Sequence, residues 1–151
     1  MAAIRVDKEG KWYYEGREIV RQEVLEVLYQ GLGRDEEGNY YVEWEGEREY
    51  ISVEDTVFLV QWAELRREGG EEFFLIKLND GTWERLDLSS FWIGRGNVPY
   101  CMVKGGRFPA RFLRLPFYQV AQYAQYDDSQ DQYYLLINGR RYPLEGRSEK
   151  V

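Results

Sequence analysis

Histidine is absent from the 151 residues and cysteine occurs once, as Cys101. Without imidazole there can be no Ser-His-Asp or Cys-His arrangement, and a zinc site would have to do without histidine and without several thiolates. One cysteine allows no internal disulfide, and Cys101 reads as a small buried hydrophobe because no histidine can activate it. No apolar run approaches the roughly 20 residues that span a bilayer, and Met1-Ala2-Ala3-Ile4-Arg5 lacks a basic segment followed by an apolar core. The expectation is a cytoplasmic chain without metal or cofactor. Positive charge is also scarce: 20 Lys+Arg stand against 27 Asp+Glu, a net charge of −7, which disfavours nucleic acid and anionic membrane as partners.

What is abundant is aromatic side chain, at 17% of the residues, within a hydrophobic share of 44%. That is enough to build a core, and 13 Tyr beside 7 Phe and 5 Trp suit half-buried pleated surfaces. The charge is unevenly distributed. Residues 1–70 hold 9 Lys+Arg against 17 Asp+Glu, while residues 71–151 hold 11 against 10. From Leu88 to Tyr126 there is no acid, yet Arg95, Lys104, Arg107, Arg111 and Arg114 fall there. This basic stretch either faces the acidic half or meets an anionic ligand.

Along the chain, Gly10 and Gly16 bracket a short aromatic strand that reads as a hairpin, and Val20, Val24, Val27, Leu28 and Leu32 recur at helical spacing ahead of Gly31 and Gly33. The spacing predicts a helix over 20–32 with Val24 and Leu28 on its buried stripe. Turn residues 35–39 precede a second hairpin through Tyr40-Tyr41-Val42, Gly46 and Ile51. Residues 56–65, 72–78 and 82–86 read as a β-meander, and 91–99 as a loop.

The segments also match each other. Gly16, Arg17 and Arg21 coincide with Gly106, Arg107 and Arg111 at an offset of 90, and Leu25 falls on Leu115. Past the helix the offset is 93, where Tyr40-Tyr41-Val42 meets Tyr133-Tyr134-Leu135, Gly46 meets Gly139, Arg48 meets Arg141 and Ile51 meets Leu144. A second helix is expected from Pro116, with Phe117, Val120, Ala121 and Ala124 buried. The fold expected is therefore α+β: two repeated lobes, each a hairpin-helix-hairpin motif, over 1–56 and 99–145, joined by a β-meander and connecting loop at 57–98 and followed by a tail at 146–151. Two copies suit lobes packed face to face around a cleft better than a solenoid.

Gly10-Lys11-Trp12 with Gly16, Ile19 and Arg21, the run Ile51-Ser52-Val53-Glu54-Asp55-Thr56-Val57-Phe58, and Pro99-Tyr100 with Ala110-Arg111 and Tyr118 together resemble the bacterial family called domain of unknown function 1285. The family places Ala-Pro where this chain has Thr56-Val57. The resemblance runs from about residue 4 to about residue 144 and implies an α+β fold with a repeated motif and a role in signalling or ligand sensing. It implies no reaction and no catalytic residue.

Three constellations can carry chemistry. Glu54-Asp55 can bind a cation or act as acid and base, or Asp55 can cap a turn while Glu54 pairs with an arginine. Arg107, Arg111 and Arg114 among aromatic residues, with Tyr100 nearby, form either an anion-binding patch or a strand edge paired with the acidic half. Tyr40, Tyr41, Tyr133 and Tyr134 read as cross-strand core pairs. Gly94-Arg95-Gly96 fits neither a dinucleotide fingerprint nor a phosphate loop. The preferred function is a non-enzymatic module for a small anionic ligand or a protein partner. The alternatives are a hydrolase or isomerase using Glu54 and Asp55, and a structural protein that adds strands at a hairpin edge.

Overall fold

The computed structural model describes residues 2–144; the expected tail at 146–151 lies outside them, as does residue 145. The chain divides into two compact units, Met1–Phe58 and Leu59–Val151.

The first unit opens with β1 (Ile4–Val6), β2 (Trp12–Tyr14) and β3 (Arg17–Glu18), then α1 (Gln22–Gly31), β4 (Leu32–Arg34), β5 (Tyr40–Trp44), β6 (Glu47–Tyr50) and β7 (Ser52–Val53). Its two sheets have the orders β3-β2-β1-β7 and β4-β5-β6, with β7 parallel to β1 and the other pairs antiparallel. Glu15 and Gly16, both at positive φ, make the tight β2–β3 turn, a conformation that costs glycine little. Val6, Trp12, Leu28, Leu32, Val42 and Val57 form the core. Trp12 meets Tyr29 edge-on at 5.5 Å and Tyr29 stacks on Phe58 at 5.8 Å, so aromatic rings tie the first sheet to the helix.

The helix is shorter than its 20–32 pattern, and only part of its apolar arc is covered. Leu28 is buried, but Val24 is 38% exposed, Val27 40% and Val20 71%. At 100° per residue the valines fall to one side of Leu25, Leu28 and Tyr29, and α1 turns that second group inward. The reason sits at its last residue. A Cβ on Gly31 would lie 2.5 Å from the Glu43 carbonyl, so helix and β5 touch there through backbone, which sets the rotation of the whole element.

The second unit holds β8 (Phe58–Glu68, of which Phe58 still belongs to the first unit), β9 (Glu71–Leu78), β10 (Trp83–Arg85), β11 (Trp92–Ile93), β12 (Pro99–Val103), β13 (Phe108–Phe112), α2 (Arg114–Ala121), β14 (Gln125–Asp127), β15 (Gln132–Ile137) and β16 (Arg140–Pro143). The six-stranded sheet has the order β10-β9-β8-β13-β12-β11, and β14-β15-β16 form a separate antiparallel sheet. Residues 91–99, expected as a loop, contribute the edge strand β11 between two short 3-10 turns at Leu88–Ser90 and Arg95–Asn97. Phe74, Ile76, Leu78, Cys101, Ala110 and Val120 are buried, and Phe91 packs edge-on against Phe112 and flat against Phe117. The β8 register slips between Val60 and Trp62, and the Ala63 amide there donates to Oε1 of Gln119, which fastens α2 to the bulge.

Helix α2 begins at Arg114, not Pro116, so Pro116 occupies the third position, where its missing N–H still costs no intrahelical bond. Each helix is followed by three strands instead of a hairpin, because residues 32–34 and 125–127 run extended and pair across turns that open with Asp35 and Asp127. The hairpin registers agree at the two offsets: Tyr13↔Glu18 with Val103↔Phe108, and Tyr41↔Tyr50 with Tyr134↔Pro143. The added strands differ by one residue, Leu32↔Val42 against Gln125↔Tyr134.

Candidate functional site

In β13, Phe108, Ala110 and Phe112 alternate into the core and leave Pro109 and Arg111 half-buried on the other face. Arg111 pairs in register with Tyr100 of β12, and Tyr100 with Trp92 of β11. The Trp92 and Tyr100 rings stack at 5.1 Å, 13° from parallel. A Cβ on Gly94 would meet the Tyr100 ring at 2.8 Å, so the ring lies directly over that glycine. Gly94, which fits no phosphate motif, here makes room for the Tyr100 ring that covers it. The result is a row of indole, phenol and guanidinium across three adjacent strands, in which Trp92 is buried and backs the half-buried Tyr100 and Arg111.

The remaining expected residues are placed differently. Arg107 lies exposed in the turn before β13, its guanidinium 5.0 Å from the Phe108 ring. Arg114 is the exposed first residue of α2. Its match across the repeat, Val24, is itself exposed, so Arg114 does not stand where a core residue is required. Tyr100, Arg107, Arg111 and Arg114 belong to the second unit, whereas Glu54 and Asp55 belong to the first. Glu54 and Asp55 lie exposed at the bend after β7, where the Glu54 amide donates to the Val6 carbonyl. Burial pushes the Tyr40 hydroxyl above its ordinary value, Arg34 opposes that, and Asp55 adds to it, which places the Asp55 charge near Tyr40.

Lys104 of the acid-free stretch is taken by acids of its own unit. Its Nζ donates to Oδ2 of Asp80 and to Oγ1 of Thr82, both at 2.8 Å, and its backbone amide donates to the Glu84 carboxylate. Sequence reasoning missed Asp80 and Glu84 as its partners because they lie 24 and 20 residues away. Of the four tyrosines expected as core pairs only Tyr40 is buried; Tyr133 is exposed beside Tyr126 at 5.1 Å, and Tyr41 and Tyr134 are half-buried. Cys101 is buried, and burial pushes its thiol far above its ordinary value, so it stays a neutral hydrophobe.

Among the described residues no helix is long and apolar enough to cross a membrane, and no group of three or more Cys, Asp or Glu is placed to hold a metal ion.

No family model matches the sequence, and no curated protein matches it. Solved structures do. A DUF1285 family protein from Silicibacter pomeroyi DSS-3 superposes with a TM-score of 0.77 at 21% identity, over 95% of this chain and 79% of that one. A DUF1285 family protein from Shewanella baltica OS155 gives 0.64 at 17% identity, over 78% of this chain and 89% of that one. The likeness read from the residue motifs is thus matched in three dimensions, and this chain has the α+β fold of the DUF1285 family proteins.

Proposed function

We propose that this chain is a non-enzymatic binding module of the cytoplasm, with a small-anion seat on the Trp92–Tyr100–Arg111 row and an output in ligand sensing or signalling. The observation that carries the reading is the cross-strand pair Tyr100↔Arg111 with Trp92 stacked on Tyr100. Arginine carries its N–H donors in a planar fork that matches the geometry of a carboxylate or phosphate, and the adjacent Tyr100 ring favours a ligand with a flat apolar part. The matched hairpin registers at offsets of 90 and 93 support descent of the two segments from one duplicated motif. In that account the second copy acquired the seat, since Arg21, the match of Arg111, lies exposed before α1 and pairs with Glu23.

The test is a thermal-shift screen of cytosolic anions, nucleotides and coenzymes, since a ligand that prefers the native state raises the melting temperature by mass action. Calorimetry then follows on the wild type, Arg111→Ala, Arg111→Lys and Gly94→Ala. Arg111→Ala should weaken binding by about 1.5–3 kcal/mol, the scale of a hydrogen bond to a charged group, and lysine should recover only part. Gly94→Ala, which must displace the Tyr100 ring, should weaken it as well. Equal affinity in all four proteins would remove the row from the site.

A further inference from the structure

Strand β10 pairs with β9 only from Leu75 to Lys77, with one more bond from the Leu86 amide to the Phe74 carbonyl. Two residues earlier, at Glu72, the outward N–H and C=O of β9 therefore have no strand beside them among the described residues, an arrangement that sheets ordinarily protect. The gap is filled by one side chain. Oδ1 of Asn138 accepts from the Glu72 amide at 2.8 Å and Nδ2 of Asn138 donates to the Glu72 carbonyl at 2.9 Å, so the carboxamide mimics a passing peptide group. Asn138 is followed by Gly139, and both hold positive φ, 53° and 78°, in the tight turn between β15 and β16. Glu71, Glu72 and Arg67 line the same open pocket, about 440 Å³, with Leu136 and Asn138.

An asparagine followed by glycine is the sequence most prone to spontaneous deamidation, because glycine has no side chain to hinder its own amide. The Gly139 nitrogen attacks Cγ of Asn138, a C–N bond forms, the Cγ–Nδ2 bond breaks and ammonia leaves. Water then opens the cyclic imide to aspartate or to isoaspartate. Water is the only co-reactant, and Asn138 is exposed to it. We propose that Asn138 is a modification site gated by its own latch: while the carboxamide holds Glu72 through two hydrogen bonds it is not free to rotate for attack, and once deamidated it can no longer make both bonds. Aspartate at 138 presents an acceptor where the Glu72 carbonyl needs a donor, and adds negative charge beside Glu71 and Glu72. Isoaspartate reroutes the main chain of a two-residue turn through the side chain. Either product weakens the cover over the β9 edge irreversibly.

The test uses the full chain aged in mildly alkaline buffer, with deamidation at Asn138 read by intact mass and peptide mapping. The folded wild type should deamidate there roughly tenfold or more slowly than the same chain unfolded in urea, because two hydrogen bonds must first open. Glu72→Pro removes the donated amide without touching Asn138 and should speed the reaction in the folded chain. Asn138→Asp should raise hydrogen exchange at the Glu72 amide while leaving the core amides of β9 protected. Equal rates in folded and unfolded chain, no acceleration in Glu72→Pro, or unchanged Glu72 exchange in Asn138→Asp would each overturn the proposal; should Glu72→Pro fail to fold, the other two measurements decide it.

Discussion

Replacing Lys104 by methionine tests whether the two turns of the second unit are held together by charge. The ammonium has 26% of its side-chain surface exposed and the Asp80 carboxylate 8%, and they meet at 2.8 Å with Thr82 bridging them: its hydroxyl accepts from Lys104 and donates to Asp80 at 2.6 Å. Fully exposed pairs contribute about 0.2–1 kcal/mol, while removing one partner of a buried pair costs about 3–5 kcal/mol. This pair lies between those limits, so Lys104→Met should cost about 2 kcal/mol at neutral pH, most of it from a carboxylate left nearly buried with Thr82 alone. The lost stem is replaced in kind, and the Lys104 backbone amide keeps its bond to Glu84, so the turn need not collapse. The acid limb carries the sharper signature. Burial acts against the Asp80 charge, but hydrogen bonds from Lys104 and Thr82 outweigh it and hold the carboxyl below its ordinary 3.8. A carboxylate depressed in the folded state adds stability above that ordinary value, and the increment disappears as pH falls through the lower folded-state value. Methionine removes the largest of the opposing contributions, so the gap between wild type and variant should be widest at neutral pH and narrow toward about pH 3. Urea unfolding across pH, followed by tryptophan fluorescence, measures it. Asp80→Asn combined with Lys104→Met should cost less than the sum of the single changes. A cost below about 0.5 kcal/mol at neutral pH, or a gap independent of pH, would show that solvent screens the pair and that the turns are held by backbone alone.

Leu28→Ala should cost about 2–3 kcal/mol, the lower part of the usual range because Leu28 retains 9% exposure, whereas Val24→Ala should cost well under 1 kcal/mol; equal losses in urea melts would contradict the rotation described for α1. A Cβ on Gly33 would sit 2.3 Å from the Tyr41 ring, which is also held by the Arg48 guanidinium at 4.1 Å, so Gly33→Ala should destabilise by about 1–3 kcal/mol; Tyr41→Ala in the same chain should relieve part of that. Arg21→Ala and Arg114→Ala remove exposed side chains and should each leave the unfolding midpoint within about 0.5 kcal/mol of wild type, while a loss above 1 kcal/mol for Arg114 would show that it anchors the start of α2.

Much of this protein is determined locally. Alternation in 108–112, helical spacing in 22–31 and the glycines of 16, 46 and 139 specify strand, helix and turn because pleat, helical pitch and positive φ act over a few residues. The missing histidines and the near absence of cysteine narrow the chemistry without any coordinates. Of the candidate site, Tyr100 and Arg111 could be read from the motif, but not that they pair across strands or that Trp92 and Gly94 pack against Tyr100. Tertiary structure decided those matters, along with the valines left outside on α1, the acids that take Lys104, and the edge that Asn138 covers. Each is a choice of partner that local periodicity does not specify, settled by which backbone passes within reach, as at Gly31 against Glu43 and Asn138 against Glu72. Sequence periodicity states which faces are apolar; only packing in three dimensions decides which of them is buried and against what.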